Sequence, residues 1–363
     1  MNDADRIRTA EVVLPCDELD DTLAFFTDTL GFRLVSLSPA DDPRVAVLAG
    51  HGSRLRLERG ASGAPGVLRL ECSHAVAAGE LTAPNGTRVL MIEADAPLEL
   101  PPLDPEFVVS RLVDARWVAG RAGMRYRDLV PGRQGGRFIA SHIQIPGGGP
   151  VPDYVHHHRV RFQMIYCYRG WVRVLYEDQG PPLELHEGDC VLQPPGIRHR
   201  VLESSPGLEV VEVSSPAEHE TFADHELELP TANLRPERDF GGQRFVRHEA
   251  AAASWSAFGW EGFEARDLGI AAATDGLAGV HVARVSGRPA AHEHEHDGEF
   301  RFAFVTRGGV TLRPAGLDAE RLGAGDAFAV PAGLPHALCD ATSDLELLVV
   351  SLPADAGGQL PHR

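Results

Sequence analysis

The 363-residue chain predicts a mainly β protein: two tandem copies of a small β-barrel of the jelly-roll type, preceded by a short α+β domain. Three observations carry this expectation. The second two-thirds of the chain repeats itself at a constant offset. The segments inside each copy are short, rich in Val, Leu and aromatic residues, and punctuated from a pool of 38 Gly and 27 Pro, which favours tight turns and strands over long helices. One clear helix-period pattern appears, and it lies in the first hundred residues.

In chain order, residues 9–58 predict strand, helix, strand, strand, strand. Asp17 is placed as the helix N-cap, acidic residues fill the first turn, and Leu19, Leu23, Phe26 and Leu30 recur at helical spacing before Gly31 ends the element. Residues 66–97 are too short for a second module with its own helix. The stretch APLELPPLDP then predicts a linker, so the domains are expected at 1–100, 101–235 and 236–363.

The repeat begins near Phe107. Phe107-Val108 recurs as Phe245-Val246, Trp117 as Trp255, and Arg127-Asp128-Leu129 as Arg266-Asp267-Leu268. His156-x-His158 recurs as His294-x-His296, Gly170 as Gly308, Gly188-Asp189 as Gly325-Asp326, Pro194 as Pro331, Gly196 as Gly333 and His199 as His336. A duplicated domain of about 135 residues follows. Within each copy, YVHHHRV, FQMIYCYRG, WVRVLYED, LELHEGDCVLQPP and their counterparts read as strands. Gln163, Ile165 and Cys167 share one face of their strand; Met164, Tyr166 and Tyr168 share the other, where Phe302 and Phe304 stand in the second copy. A barrel strand apolar on both faces is covered outside as well, by the other barrel or across a homodimer. Cys167 is expected to be a small buried residue and not a nucleophile.

Both copies resemble the cupins over roughly residues 105–355. That family carries a His-x-His pair, an acidic residue four or five positions on and a Gly seven positions further, then Gly, five residues, Pro-x-Gly, two residues and a His. The first copy supplies His156, His158, Gln163, Gly170, Gly188, Pro194, Gly196 and His199; the second supplies His294, His296, Arg301, Gly308, Gly325, Pro331, Gly333 and His336. Residues two apart on a strand share a face, so His156 and His158 both enter the barrel, where His199 meets them. Neutral imidazoles in such a cluster suit Fe, Mn, Zn, Ni or Cu; the plainer alternative is three separately satisfied core histidines. Gln163 stands where the family has Glu, either as a neutral ligand or as a donor behind the ligands, and removes one negative charge from the site.

In the second copy His294, His296 and His336 are candidate ligands of an altered site, with Arg301 at the acidic position. A guanidinium cannot coordinate a cation and, once buried, needs an anion. That anion would be Glu299 or a bound carboxylate. A shifted register, His292-x-His294 followed by Glu299, is the other possibility, as is a purely structural second cup.

The N-terminal stretch VVLPCDELDDTLAFFTDTLGFRL, with TAPNGTRVLMIEAD, resembles the glyoxalase and extradiol-dioxygenase family, whose paired modules form a metal cup. The matching ligand positions are Glu11, Arg56, Gly66 and Leu90, of which only Glu11 could bind metal, and Glu93 falls on the opposite strand face. A degenerate domain is expected.

The formal net charge of −18 argues against nucleic acid or an anionic membrane as partner. Five scattered cysteines fit reduced thiols, the first residues lack a secretory pattern, and no apolar run reaches the roughly 20 residues of a membrane span, so a cytoplasmic protein is expected. The cupin resemblance implies a divalent metal, iron first and manganese, zinc or nickel next, in a dioxygenase-type oxidoreductase acting on a small polar molecule or organic acid. The rivals are a metal-assisted isomerase, lyase or decarboxylase and a non-catalytic small-molecule binder. Gln163 would tune the ion, and Glu203, which shares strand parity with His199, is the candidate base.

Overall fold

The computed structural model describes residues 6–73, 79–94, 96–287 and 293–354. The chain divides into two compact units, Met1–Pro97 and Leu98–Arg363. Among the described residues no helix is long and apolar enough to cross a membrane.

In the first unit, strand Val12–Pro15 is followed by helix Leu19–Ala24 and strands Arg33–Ser38, Val45–Gly50 and Ser53–Glu58, with Val12–Pro15 lying parallel against Ser53–Glu58. Leu19, Phe26 and Leu30 are buried as their spacing demands. The helix widens over Phe25–Thr29, where the Leu30 N–H reaches back to the Phe25 carbonyl at 3.3 Å, and Gly31 ends it at φ +74°. The cap is Glu18 and not Asp17, without a side-chain bond; Asp20 and Asp21 face the helix N-terminus instead. Strands Val67–Cys72, Arg88–Glu93 and Gly79–Thr82 make a second small sheet, with no helix among the described residues there.

The second unit holds two jelly rolls, each of a larger and a smaller sheet. In the first, the larger sheet centres on Phe162–Arg169, Leu208–Ser215 and Ile139–Ile145, and the smaller on Trp171–Tyr176, His199–Ser204 and His156–His158. In the second, the matching central strands are Phe300–Arg307, Glu346–Leu352 and Gly279–Val285, facing Glu293–His294, His336–Cys339 and Gly309–Pro314. Each half lends its first strand to the other: Val108–Ser110 pairs with Ala327–Ala329, and Val246–His248 with Cys190–Leu192. A folded barrel is therefore not one contiguous stretch of sequence, and the exchange covers a sheet edge in each.

The outward faces of the long strands meet in one core. Phe162, Met164, Tyr166 and Tyr168 pack with Phe300, Phe302 and Phe304, and the Phe138 and Phe300 rings stack at 4.3 Å. The strands apolar on both faces thus join the two barrels within one chain. The Pro-rich stretch is not a free tether: the Gln134 side chain accepts from the Glu106 N–H at 2.9 Å and donates to its carbonyl at 3.1 Å. Gly135, at φ +73°, lets Pro102 approach so closely that a Cβ would lie 2.7 Å from its carbonyl oxygen.

Candidate metal centre

His156 and His199 are direct cross-strand partners, and His158 lies two residues along on the same face. One ring nitrogen from each of the three falls within 4.8 Å of the others, the one such group among the described residues. Each Nδ1 is already engaged: His156 donates to the Tyr154 carbonyl at 2.8 Å, His199 to the Ile197 carbonyl at 3.1 Å, and His158 meets Thr221 Oγ1 at 2.9 Å. These bonds orient the rings and turn the Nε2 lone pairs toward the cluster, where that of His156 accepts from Arg121. Burial depresses all three: His158 falls to about 3, helped by its neighbouring histidines, and His156 and His199 also fall below the usual range. Neutral, pre-oriented imidazoles are what a divalent metal ion requires, and the donor set fits one.

The cluster opens on a cavity of about 80 Å³. Ile143, Ile145, Ile165, Val174 and Val210 make much of its wall, and Arg121, Tyr126, Gln193 and Glu212 are polar groups on it beside His158 and His199. Arg121 extends from a turn whose Ala122 sits at φ 52°. Its guanidinium donates to His156 Nε2 at 2.7 Å and to the buried Asp153 carboxylate at 2.8 Å, and Asp153 also accepts from the Val201 N–H at 3.0 Å. Glu212 stands opposite Ile165 and accepts from Ser214 Oγ at 3.2 Å.

Three of the sequence candidates come together and others do not. Gln163 is buried on the strand face of Ile165, opposite Ser214, but forms no part of the cavity wall. Gln193 does, with both amide atoms buried and no hydrogen-bond partner. Glu203 is a correction. Val174 pairs with Val201 but Arg173 with Glu203, so Leu202 is an extra residue that inverts the alternation. Val201 still faces the cavity, whereas Glu203 turns out of it and binds Arg173 at 2.8 Å. The inward carboxylate is Glu212, in a strand whose other face, Val211 and Val213, packs against the second barrel. Mixed polarity on one face and apolar burial on the other hid it from pattern reading. Arg121 and Tyr126 precede the motifs and carried no signal.

The second cup is arranged differently. His294 pairs with His336 as His156 does with His199, which supports the register containing His294 and His296; His292 lies outside the described residues. The His294 and His336 rings are 6.3 Å apart, against 4.2 Å for His156 and His199. His296 spends Nε2 on the Val330 carbonyl at 2.7 Å. Arg301 is buried beside these rings, which pushes its guanidinium down to about 10 while Asp297 holds it up. Glu299, expected as its partner, instead meets Arg161 at 2.7 Å. In the N-terminal unit Glu11 is tied to Arg54 at 3.1 Å and Arg56 to Glu58 at 2.7 Å, so both side chains are engaged in ion pairs. Cys167 is fully buried and its thiol is pushed up to about 12, as an inert core residue should be.

Residues 281–351 match the family model described as a cupin domain. The fold is that of a bicupin. Oxalate decarboxylase from Bacillus subtilis, solved at pH 4.6, superposes with a TM-score of 0.50 over 70% of this chain and 77% of its own, at 14% identity. A serine-to-alanine variant of the same enzyme gives 0.51 over 71% and 79%, also at 14%. At that identity the likeness speaks for the bicupin fold. No curated relative matches the chain by sequence.

Proposed function

We propose that the first barrel is a metal-dependent lyase of the decarboxylase kind, acting on a short-chain carboxylic acid. One observation carries the reading: a guanidinium, Arg121, and a carboxyl group, Glu212, share one small aliphatic cavity with His158 and His199 of the three-histidine group. The dioxygenase expectation rested on the cupin resemblance and its histidine set; Glu212, standing inward where Glu203 was expected as the base, favours proton chemistry instead. The fold-level similarity to a decarboxylase agrees with this shift. The donor set favours no particular metal, so iron has no preference over manganese, zinc or nickel.

A divalent ion at His156, His158 and His199 supplies Lewis acidity toward a substrate oxygen. Arg121 pairs with the substrate carboxylate, with Asp153 holding its other arm. The aliphatic wall keeps water from that carboxylate as its C–C bond breaks, CO₂ leaving and the bonding electron pair staying on the adjacent carbon. The electron pair left on the adjacent carbon takes a proton from Glu212, which Ser214 steadies. A cavity of about 80 Å³ is roughly half the 150 Å³ that accommodates benzene, so the substrate is small.

The test is anaerobic incubation of metal-loaded protein with short oxo- and dicarboxylic acids, followed by mass spectrometry of headspace and products. CO₂ release that disappears in Glu212→Gln supports the proposal. Oxygen-dependent turnover to an oxidised product returns the protein to the dioxygenase reading, and metal-independent binding without turnover makes it a binder. We read the N-terminal unit as a degenerate glyoxalase-type module, supported by its strand-helix-three-strand order and by the engaged Glu11. A homodimer loses the support of the two-faced strands, because the second barrel covers that face.

A further inference from the structure

The two barrels are related by a pseudo-twofold whose contacts are satisfied on one side and incomplete on the other. In the first copy Arg127 is buried, and its guanidinium donates to the Gly325 carbonyl at 2.7 Å and to the Ser110 carbonyl and hydroxyl, both at 3.0 Å. Its repeat partner Arg266 is also buried, at 5% exposure, and lies against Gly188, the repeat counterpart of Gly325. There the match ends. Ser110, opposite Ala327, is replaced by His248, opposite Cys190. The hydroxyl acceptor is gone, and His248 Nε2 is buried without a partner. Arg266 keeps a long bond to Tyr166 Oη at 3.4 Å, while its Nε–H is buried and unbonded.

Arg266 lies on the wall of a separate, mainly polar cavity of about 110 Å³ with Tyr166, Tyr168, Thr306 and Arg307. Tyr168, 3% exposed, presents a buried hydroxyl with no partner, the second unsatisfied group beside the Arg266 Nε–H. A buried, uncompensated guanidinium donor and a buried hydroxyl on one small cavity are costly unless an acceptor fills them. We propose that this cleft between the barrels binds a small oxyanion, a carboxylate or an inorganic phosphate, through Arg266 and Tyr168. Glu187 and Glu346 also border the cavity, so four ionised side chains sum to no net charge. Directed donors at the floor, not a positive field, therefore select the ligand, and Arg307 and Glu187, 3.7 Å apart and largely exposed, stand at its mouth. The site lies at the contact between barrels, so a bound anion ties Arg266 of one to Tyr168 of the other.

The experiment is calorimetric titration of the full chain with acetate and, separately, with inorganic phosphate. Because the metal centre is itself a site for a carboxylate, the titrations are run in His158→Ala as well as wild type, and His158→Ala should still bind one or both probes. Tyr168→Phe keeps the ring packing and should weaken binding about tenfold, the loss of one hydrogen bond to a charged group. Arg266→Gln should abolish binding; if that variant fails to fold, Tyr168→Phe decides alone. A preference for acetate identifies a carboxylate ligand, and a preference for phosphate an inorganic one. No binding by wild type, unchanged affinity in Tyr168→Phe, or loss of binding in His158→Ala would each overturn the proposal.

Discussion

Truncating His158 to alanine should empty the first barrel of metal while leaving the protein folded. Zinc binding to complete structural sites is worth about 10–16 kcal/mol, so each of four ligands carries roughly 2.5–4 kcal/mol, or about 10²- to 10³-fold in affinity. A milder change isolates the orientation of the ligand: Thr221→Val removes the 2.9 Å partner of His158 Nδ1 and should cost about 10- to 100-fold. His336→Ala is the contrast. His336 stands with His294 at 6.3 Å and beside a His296 that is spent on a carbonyl, so metal content should not change. Because His336 is buried, that variant should lose roughly 1–3 kcal/mol of stability, which a denaturation midpoint separates from metal loss. The assay is elemental analysis after dialysis, joined to chelator competition with zinc and manganese. Metal retained by His158→Ala but lost by His336→Ala would refute the assignment of the working barrel.

Three further outcomes are expected. Glu212→Gln should lower kcat about 10²- to 10⁴-fold with little change in KM, as loss of a proton donor does, and an unaltered kcat would remove Glu212 from the chemistry. His156 and His199 have folded-state values below their unfolded value near 6.5, so their contribution is complete above that pH and is lost as the pH falls beneath it. Each costs up to about 1.4 kcal/mol per pH unit, and the metal-free protein's urea midpoint should drop between pH 7 and pH 5; a rising midpoint contradicts their burial as neutral rings. A chain starting at Leu98 should be soluble and keep metal, whereas one starting at Phe107 strips Gln134 of both Glu106 bonds and should be about 1–3 kcal/mol less stable by denaturant titration.

Much of the architecture was legible because duplication prints itself on a sequence. Matching residues at a constant offset need no knowledge of contacts, and strand parity alone puts His156 and His158 on one face. Parity fails where the backbone gains a residue. The bulge at Leu202 carries no composition signal, yet it turns Glu203 out of the cavity. The same limit hid Glu212, since alternation does not say which face of a strand is inside when a second barrel buries the outer one.

The sequence by itself therefore determined the repeat, the three-histidine group and the mainly β class, all of which depend on local spacing and side-chain chemistry. Only the tertiary structure decided what surrounds them. The exchange of first strands, Arg121 on His156, and the docking of the Pro-rich stretch on Gln134 join residues 28 to 221 positions apart. The unmatched Arg266 likewise became visible only against Arg127 in a folded pseudo-twofold. Such contacts are set by sheet register and barrel closure, which no single segment encodes.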